Sequence, residues 1–359
     1  MTKTKLFSLL FLCLAGAPLW AMNAEEDKQQ PPPLAAAAAP TSAPRKVRPE
    51  AFVFDYDTVM ALKFTNLARL AEKKRLLEDA ERAVSLRIKT RLPEETKVLL
   101  APFKNVRDLF IGDTSSKQLP LLPNPQNLRC LEIFNATFDD VENVTNCLNL
   151  ETLLLTCVSF QQRPQQPNFK AYCQPFTLLH QLKTFRCINT LRVDGEEPEH
   201  TGILTRILQN NHKLERVQLK GRITDDLLAL LADLPLRRLT LGSSHINDAR
   251  LALLPCRTLD TLNLYANQLV TIEALRGSNV RELNLGNNPT LDASMADVIC
   301  SMPKLEVLCL DNCNLQDQQV APLLGLAEQL TSLQLHHNPD VSDDMRQRLR
   351  EAFSDKVEL

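Results

Sequence analysis

The chain has 359 residues, 44% of them apolar and only 5% aromatic, and a formal net charge of −2 at neutral pH. That balance leaves no basic footprint for nucleic acid. Nine glycines in the whole sequence exclude a glycine-rich phosphate cradle.

Residues 1–24 have the order of a secretory leader. Lys3 and Lys5 form the charged start, Leu6 to Ala17 the apolar centre, and Leu19-Trp20-Ala21 the small-residue end. The apolar centre is too short to span about 30 Å of hydrocarbon. Cleavage is expected after Ala21 or Ala24, which takes the net charge to −4 because the leader holds only Lys3 and Lys5 as charged groups. Such a charge does not attract an anionic membrane surface. Residues 25–50 are rich in proline and alanine without hydrophobic periodicity, and read as a disordered linker. Residues 51–105 read as a helical N-terminal region. Asp57 is placed to cap a helix over 58–90, with Met60, Phe64, Leu67, Leu70, Leu77, Ala80, Val84 and Ile88 roughly on one face. A second helical stretch, PEETKVLLAPF, begins at Pro93. Two roles fit this region: a cover for the open end of a downstream stack of repeats, or a separate effector or coiled-coil domain.

From residue 106 to 359 one spacing recurs. Its clearest copy is Leu259, Leu262, Leu264, Asn267 and Leu269, followed by units starting at Val280, Leu305 and Leu330. Upstream the register runs through Val106, Leu128, Leu150, Leu182, Leu214 and Leu236, with weaker motifs in which Ala136 and Val158 replace the asparagine. No single unit of this kind can bury its apolar face, so stacking must supply the core. The units starting at Leu150 and Leu182 are about ten residues longer than their neighbours. The extra segments, QQRPQQPNFKAYCQP and RVDGEEPEH, should emerge as loops. Asp-rich starts before apolar runs at Asp225, Asp248 and Asp343 place short helices between strands.

These residues resemble the leucine-rich-repeat family, nearer the ribonuclease-inhibitor-like type in units such as LERVQLKGRITDDLLALLADLP. The resemblance implies an α/β solenoid: a curved parallel sheet on the concave face and short helices or turns on the convex face, behind an N-terminal helical cap. It implies a surface for recognising other molecules and names no partner.

Side chains alternate along a strand, so the residues between buried leucines face outward. On the concave face this selects Asn263, Tyr265, Asn284, Asp311 and His336 as partner-binding candidates, a polar column suited to a protein surface. Cys309, Asp311 and His336 should lie within roughly 7 Å of one another. A thiol, a carboxylate and an imidazole are the ingredients of nucleophilic catalysis, but an open sheet offers neither water exclusion nor oxyanion donors. The expectation is a contact surface with no catalytic residues, no metal and no cofactor. The nine cysteines beyond the leader are odd in number and scattered, and several occupy leucine or asparagine positions, so most should be reduced and buried.

The reading is therefore an exported, non-enzymatic module that binds another protein, with no nucleic acid and no integral membrane association. Two other roles fit the same residues: an adaptor or effector whose N-terminal helices recruit a catalytic partner, and a structural envelope or lumenal scaffold. Asn135-Ala136-Thr137 and Asn143-Val144-Thr145 match the glycosylation acceptor pattern. The final Lys356-Val357-Glu358-Leu359 is similar to a lumenal retrieval signal, though Val357-x-Leu359 also has the spacing of a last strand.

Overall fold

A leucine at every second position, repeated at an interval long enough for one return segment, forces strands to stack in parallel with one face buried. The computed structural model describes residues 52–54, 70–89, 99–160, 174–189 and 198–359, all within one compact unit, Ala51–Leu359. The leader and linker read from residues 1–50 lie outside the described residues.

Strand β1 is Phe52–Phe54, helix α1 Leu70–Arg82, β2 Ser85–Ile88, β3 Asp108–Gln118, β4 Cys130–Asp140, β5 Thr152–Thr156 and β6 Ser159–Phe160. Next come β7 Thr184–Ile188, α2 Pro198–Asn210, β8 Arg216–Leu219, α3 Asp225–Ala232, β9 Arg238–Thr240 and α4 Asp248–Leu251. The chain closes with β10 Thr261–Asn263, β11 Glu282–Asn284, α5 Ser294–Cys300, β12 Val307–Cys309, α6 Asp317–Val320, β13 Ser332–Gln334, α7 Asp343–Phe353 and β14 Val357–Glu358. The strands form one sheet in chain order, except that β6 pairs with β4. Every pairing is parallel, and Leu109, Leu131, Leu153, Phe185, Val217, Leu239, Leu262, Leu283, Leu308 and Leu333 share one register.

The helix expected over 58–90 is shorter and ends sooner. It stops at Arg82, and the chain then enters β2, where Leu86 pairs with Leu109 and Ile88 with Ile111. Val84 and Ile88 suit a helical face at a spacing of four, while Leu86 and Ile88 suit a strand at a spacing of two. Strand pairing decides it: Leu86 and Ile88 lie in register with Leu109 and Ile111, and both are buried in the common core. Because β1 also pairs in parallel with β2, the sheet begins well before residue 106. Helix α1 is the crossover between two sheet strands, with Ala80 buried and Leu76 and Leu77 packed on the core. The described part of 51–105 is thus sheet and crossover, and no separate domain stands there. Residues 55–69 and 90–98, with the expected Asp57 cap and most of the second helical stretch, lie outside the described residues.

The convex helices start where the aspartates suggested, but the capping groups sit one residue earlier. Thr224, Asn247 and Ser342 accept hydrogen bonds from the backbone N–H groups of Leu227, Arg250 and Met345, while the aspartates in the first turn complement the helix dipole. Of the two insertions, most residues lie outside the described ones (161–173 and 190–197); the end of the second, Pro198-Glu199-His200, is the first turn of helix Pro198–Asn210 rather than loop. Val357 pairs with Leu333 and Glu358 with Gln334, so these residues add a further short strand to the sheet.

One further row marks the strand entrances. Arg129, Glu151, Lys183, Glu215, Arg237, Asp260, Arg281 and Glu306 are successive in the ladder, each backbone N–H bonded to the carbonyl of the one before. From Arg129 to Glu306 their charges alternate, while the member before them, Arg107, whose carbonyl accepts from Arg129, carries the same charge as Arg129. Lys183 reaches Glu151 at 2.8 Å, Arg237 reaches Asp260 at 3.6 Å, and Arg281 pairs with Glu306. Such exposed pairs contribute little stability singly, but a shifted register would set like charges side by side, which a sheet resists.

Candidate functional site

The five outward residues Asn263, Tyr265, Asn284, Asp311 and His336 are brought onto one sheet face. Asn263 pairs with Asn284 across β10 and β11, and Asn284 with Cys309 across β11 and β12. Their side chains are tied down at one end. Asn263 Oδ1 accepts the backbone N–H of Tyr265 at 3.0 Å, and Asn284 Oδ1 accepts that of Gly286 at 2.9 Å. Asp311 Oδ1 accepts the N–H of His336 at 2.8 Å. A Cβ on Gly286 would stand 3.3 Å from Tyr265 Cδ2, so the tyrosine ring leans over the glycine. All five residues remain half-exposed. Sequence reasoning missed Glu358, whose carboxylate meets His336 Nε2 at 3.2 Å and Gln334 Nε2 at 3.4 Å. The Val357-x-Leu359 spacing, which makes 358 an outward position, was the signal for it.

Cys309, Asp311 and His336 do not form a catalytic relay. The imidazole is engaged with Glu358 rather than with the thiol. The Cys309 thiol is buried, and burial together with the neighbouring Asp311 carboxylate pushes it up to about 12. It stays protonated at neutral pH, and the imidazole that would activate it is turned to Glu358, so the requirement for an activated nucleophile is unmet. Among the described residues no cluster of three or more His, Cys, Asp or Glu could hold a metal, and no helix is long and apolar enough to cross a membrane.

What mounts this face is the corner that follows each strand. Four residues after the central apolar position, the backbone takes a positive φ in each repeat from β3 to β13: Asp113, Asn135, Cys157, Asn189, Gly221, Ser243, Ala266, Asn287, Asn312 and His337. That conformation is uncommon for residues with a Cβ. Its recurrence at one register shows that the corner is imposed by the stack. The next residue lies inside the corner, and at Asn267, Asn288 and Asn338 it is a buried asparagine. Asn288 Oδ1 accepts the N–H groups of Asn267 at 3.1 Å and Leu269 at 3.4 Å, and its Nδ2 donates to the carbonyls of Leu264 and Leu285. Asn267 does the same for Ser244 and Ile246, and Asn338 for Cys313 and Leu315. Each asparagine therefore satisfies buried backbone groups of its own repeat and of the one before. This is the fold of a leucine-rich-repeat protein.

No protein-family model matches the chain, and no curated protein matches it in sequence. Solved structures do resemble it. Rad7 of yeast, solved with Elc1, is 17% identical, with 75% of each chain covered and a TM-score of 0.48. An internalin of Listeria monocytogenes is 19% identical over 82% of this chain and 77% of its own, with a TM-score of 0.42. A leucine-rich-repeat protein of Leptospira interrogans is 16% identical over 79% and 80%, with a TM-score of 0.44. At such identities the likeness is one of fold alone, which the shared register and the corner geometry of this leucine-rich-repeat chain establish independently.

The remaining cysteines belong to the architecture. Cys147, Cys187, Cys256, Cys309 and Cys313 are buried, Cys130 and Cys157 half-buried, and Cys300 exposed; Cys173 lies outside the described residues. Burial pushes Cys130 and Cys147 up to about 11 and Cys256 and Cys313 up to about 12. Cys313 occupies the asparagine position of its repeat, where its thiol donates to the Leu285 carbonyl at 3.2 Å. Of the two glycosylation motifs, Asn135 gives its amide to Asp113 and Asn143 to the Leu119 carbonyl.

Proposed function

We propose that this leucine-rich-repeat chain is an exported, non-enzymatic binding module. Its concave sheet face docks a partner protein around Asn263, Tyr265, Asn284, Asp311 and His336. The observation that carries this reading is the tethering of Asn263, Asn284 and Asp311 to the backbone. Side chains already fixed lose little freedom when a partner arrives, which lowers the ordering cost of binding. Each asparagine has only Oδ1 engaged in its tether, so its amide N–H groups remain for recognition. Tyr265 adds a half-exposed aromatic of the type most often found at interface hot spots. A protonated Cys309 and a His336 turned to Glu358 support the non-enzymatic part. Export rests on the order of residues 1–24, and a mature N-terminus at Met22 or Glu25 is the expected result of sequencing the native protein; an intact Met1 would refute it.

The test of the binding face is a pair of variants measured against the partner recovered by affinity purification from the native source. Tyr265→Ala should weaken binding by about 1–3 kcal/mol at unchanged thermal stability. Leu264→Ala, at a fully buried position, should cost about 2–5 kcal/mol of fold stability. Unchanged affinity in Tyr265→Ala, with loss of binding from a convex-face substitution, would place the interface elsewhere.

A further inference from the structure

The outward positions of β7 and β8 and the start of β9 carry Arg186, Arg216, Lys220 (just past β8) and Arg238, and no carboxylate. Register sets Arg216 directly beside Arg238 on neighbouring parallel strands, with backbones about 5 Å apart. Like charges placed side by side destabilise a sheet. Both arginines are exposed. Arg186 pairs in register with Gln218, between Arg216 and Lys220 on β8, and its Nε donates to Gln218 Oε1 at 2.8 Å. Among the described residues no carboxylate lies within ion-pair distance of any of the four cations.

From Arg129 to Glu306 the row at the strand entrances alternates its charges. On the neighbouring outward rows of the same strands the alternation is broken, and a locally unfavourable arrangement kept in an otherwise consistent fold marks a functional surface. Its borders include an apolar and an aromatic residue, beside the polar Thr261 that pairs with Arg238. Leu154 pairs with Arg186 on the β5 side, and on the other side Tyr265 stands next to Gly242, whose missing side chain leaves the strip open.

We infer that this cluster docks an acidic segment of a partner protein, an extended stretch in which aspartates or glutamates are interspersed with apolar residues. Carboxylates would sit against Arg216 and Arg238, whose forked donors match them two-to-two, with Arg186 and Lys220 supplying further charge. Leu154 and Tyr265 would take the intervening apolar side chains. A peptide fits better than single-stranded nucleic acid, which is held by successive aromatic platforms; here one tyrosine borders the strip. The inference rests on the sheet face being the binding surface, and adds the chemistry of what binds.

The test is fluorescence anisotropy with the full chain and a labelled peptide of repeating Glu-Glu-Leu. Its glutamine-for-glutamate counterpart and a single-stranded RNA of equal charge serve as comparisons. The acidic peptide should bind, more weakly as salt rises. The glutamine peptide and the RNA should each bind about tenfold more weakly or worse. Arg216→Glu with Arg238→Glu should reduce affinity for the acidic peptide by about tenfold or more without altering the melting curve. If that double reversal unfolds the chain, Arg216→Gln with Arg238→Gln should still reduce it about threefold or more. RNA bound as tightly as the peptide, affinity indifferent to the arginines, or no binding of the acidic peptide to the wild type would each overturn the inference. None of these outcomes touches the broader reading, which is decided by Tyr265→Ala against the native partner.

Discussion

The repeats around β3 and β4 and those from β10 to β13 turn the same corner by different means. In both regions a positive-φ residue stands four positions after the central leucine. After it, the early strands resume: Thr114 pairs with Ala136, Ser115 with Thr137 and Ser116 with Phe138, and β6 continues the second side beyond β4. Backbone groups past the corner are thus satisfied by strand pairing, and Ala136 and Val158 can be apolar and buried. The late strands are three residues long and stop at the corner. Their orphaned N–H and C=O groups are taken up by Asn267, Asn288 and Asn338. A buried backbone polar group must be paired by something; the difference shows that this fold accepts either a neighbouring strand or a side chain.

Substitutions at the residue after the corner should therefore have opposite signs in the two regions. The largest effect is expected late. Asn288→Ala strips partners from two buried N–H groups and two carbonyls at once, and should cost about 3–5 kcal/mol in a denaturant titration. A cost under about 1 kcal/mol would show that the late corners do not depend on their asparagines. At the same register early, Thr114 has a buried hydroxyl with no partner among the described residues. Thr114→Val removes it at nearly constant volume and should stabilise by about 1 kcal/mol; a clear loss would mean that the hydroxyl is used after all.

The smallest effect sharpens the comparison at Cys313, the one late corner with a thiol in place of an amide. Burial raises this thiol in the folded chain to about 12 from an ordinary value near 9. A group whose folded pKa is raised contributes stability fully below the unfolded value and loses it as pH climbs towards the folded one. Alkaline melting curves should accordingly fall between about pH 9 and 12, less steeply in Cys313→Asn, which restores the amide. Identical alkaline slopes in the two proteins would argue that Cys313 takes no part in that loss.

The late half was legible because its chemistry is carried by the side chains that the spacing selects. Leucines define the register, asparagines mark the corners, and Val357 was placed as a strand residue by its distance from Leu333. The early half was less so. In β2 the same apolar residues satisfy helical and extended periodicity, and only the pairing of Leu86 with Leu109 decides between them. The second-side pairing of β3 with β4 is made by backbone groups, which leave no mark on residue type. Asn211 was equally hidden: buried behind the sheet, it accepts the N–H of Leu182 and donates to the carbonyls of Leu179 and Ile207, yet its sequence context reads as an ordinary helix end. Of the candidate site, the outward positions followed from alternation alone. The ties that fix Asn263, Asn284 and Asp311 depend on corner geometry, and the clustering of cations on β7 to β9 appears only when neighbouring strands are set in register.

Backbone hydrogen exchange followed residue by residue in the wild type and in Asn288→Ala tests the two-corner account most directly. The amides of Asn267 and Leu269, which the asparagine accepts, should lose protection in the variant, while those of Thr137 and Phe138 in the strand-paired early corner keep theirs. Unchanged protection at Asn267 and Leu269, or an equal loss at Thr137 and Phe138, would contradict it.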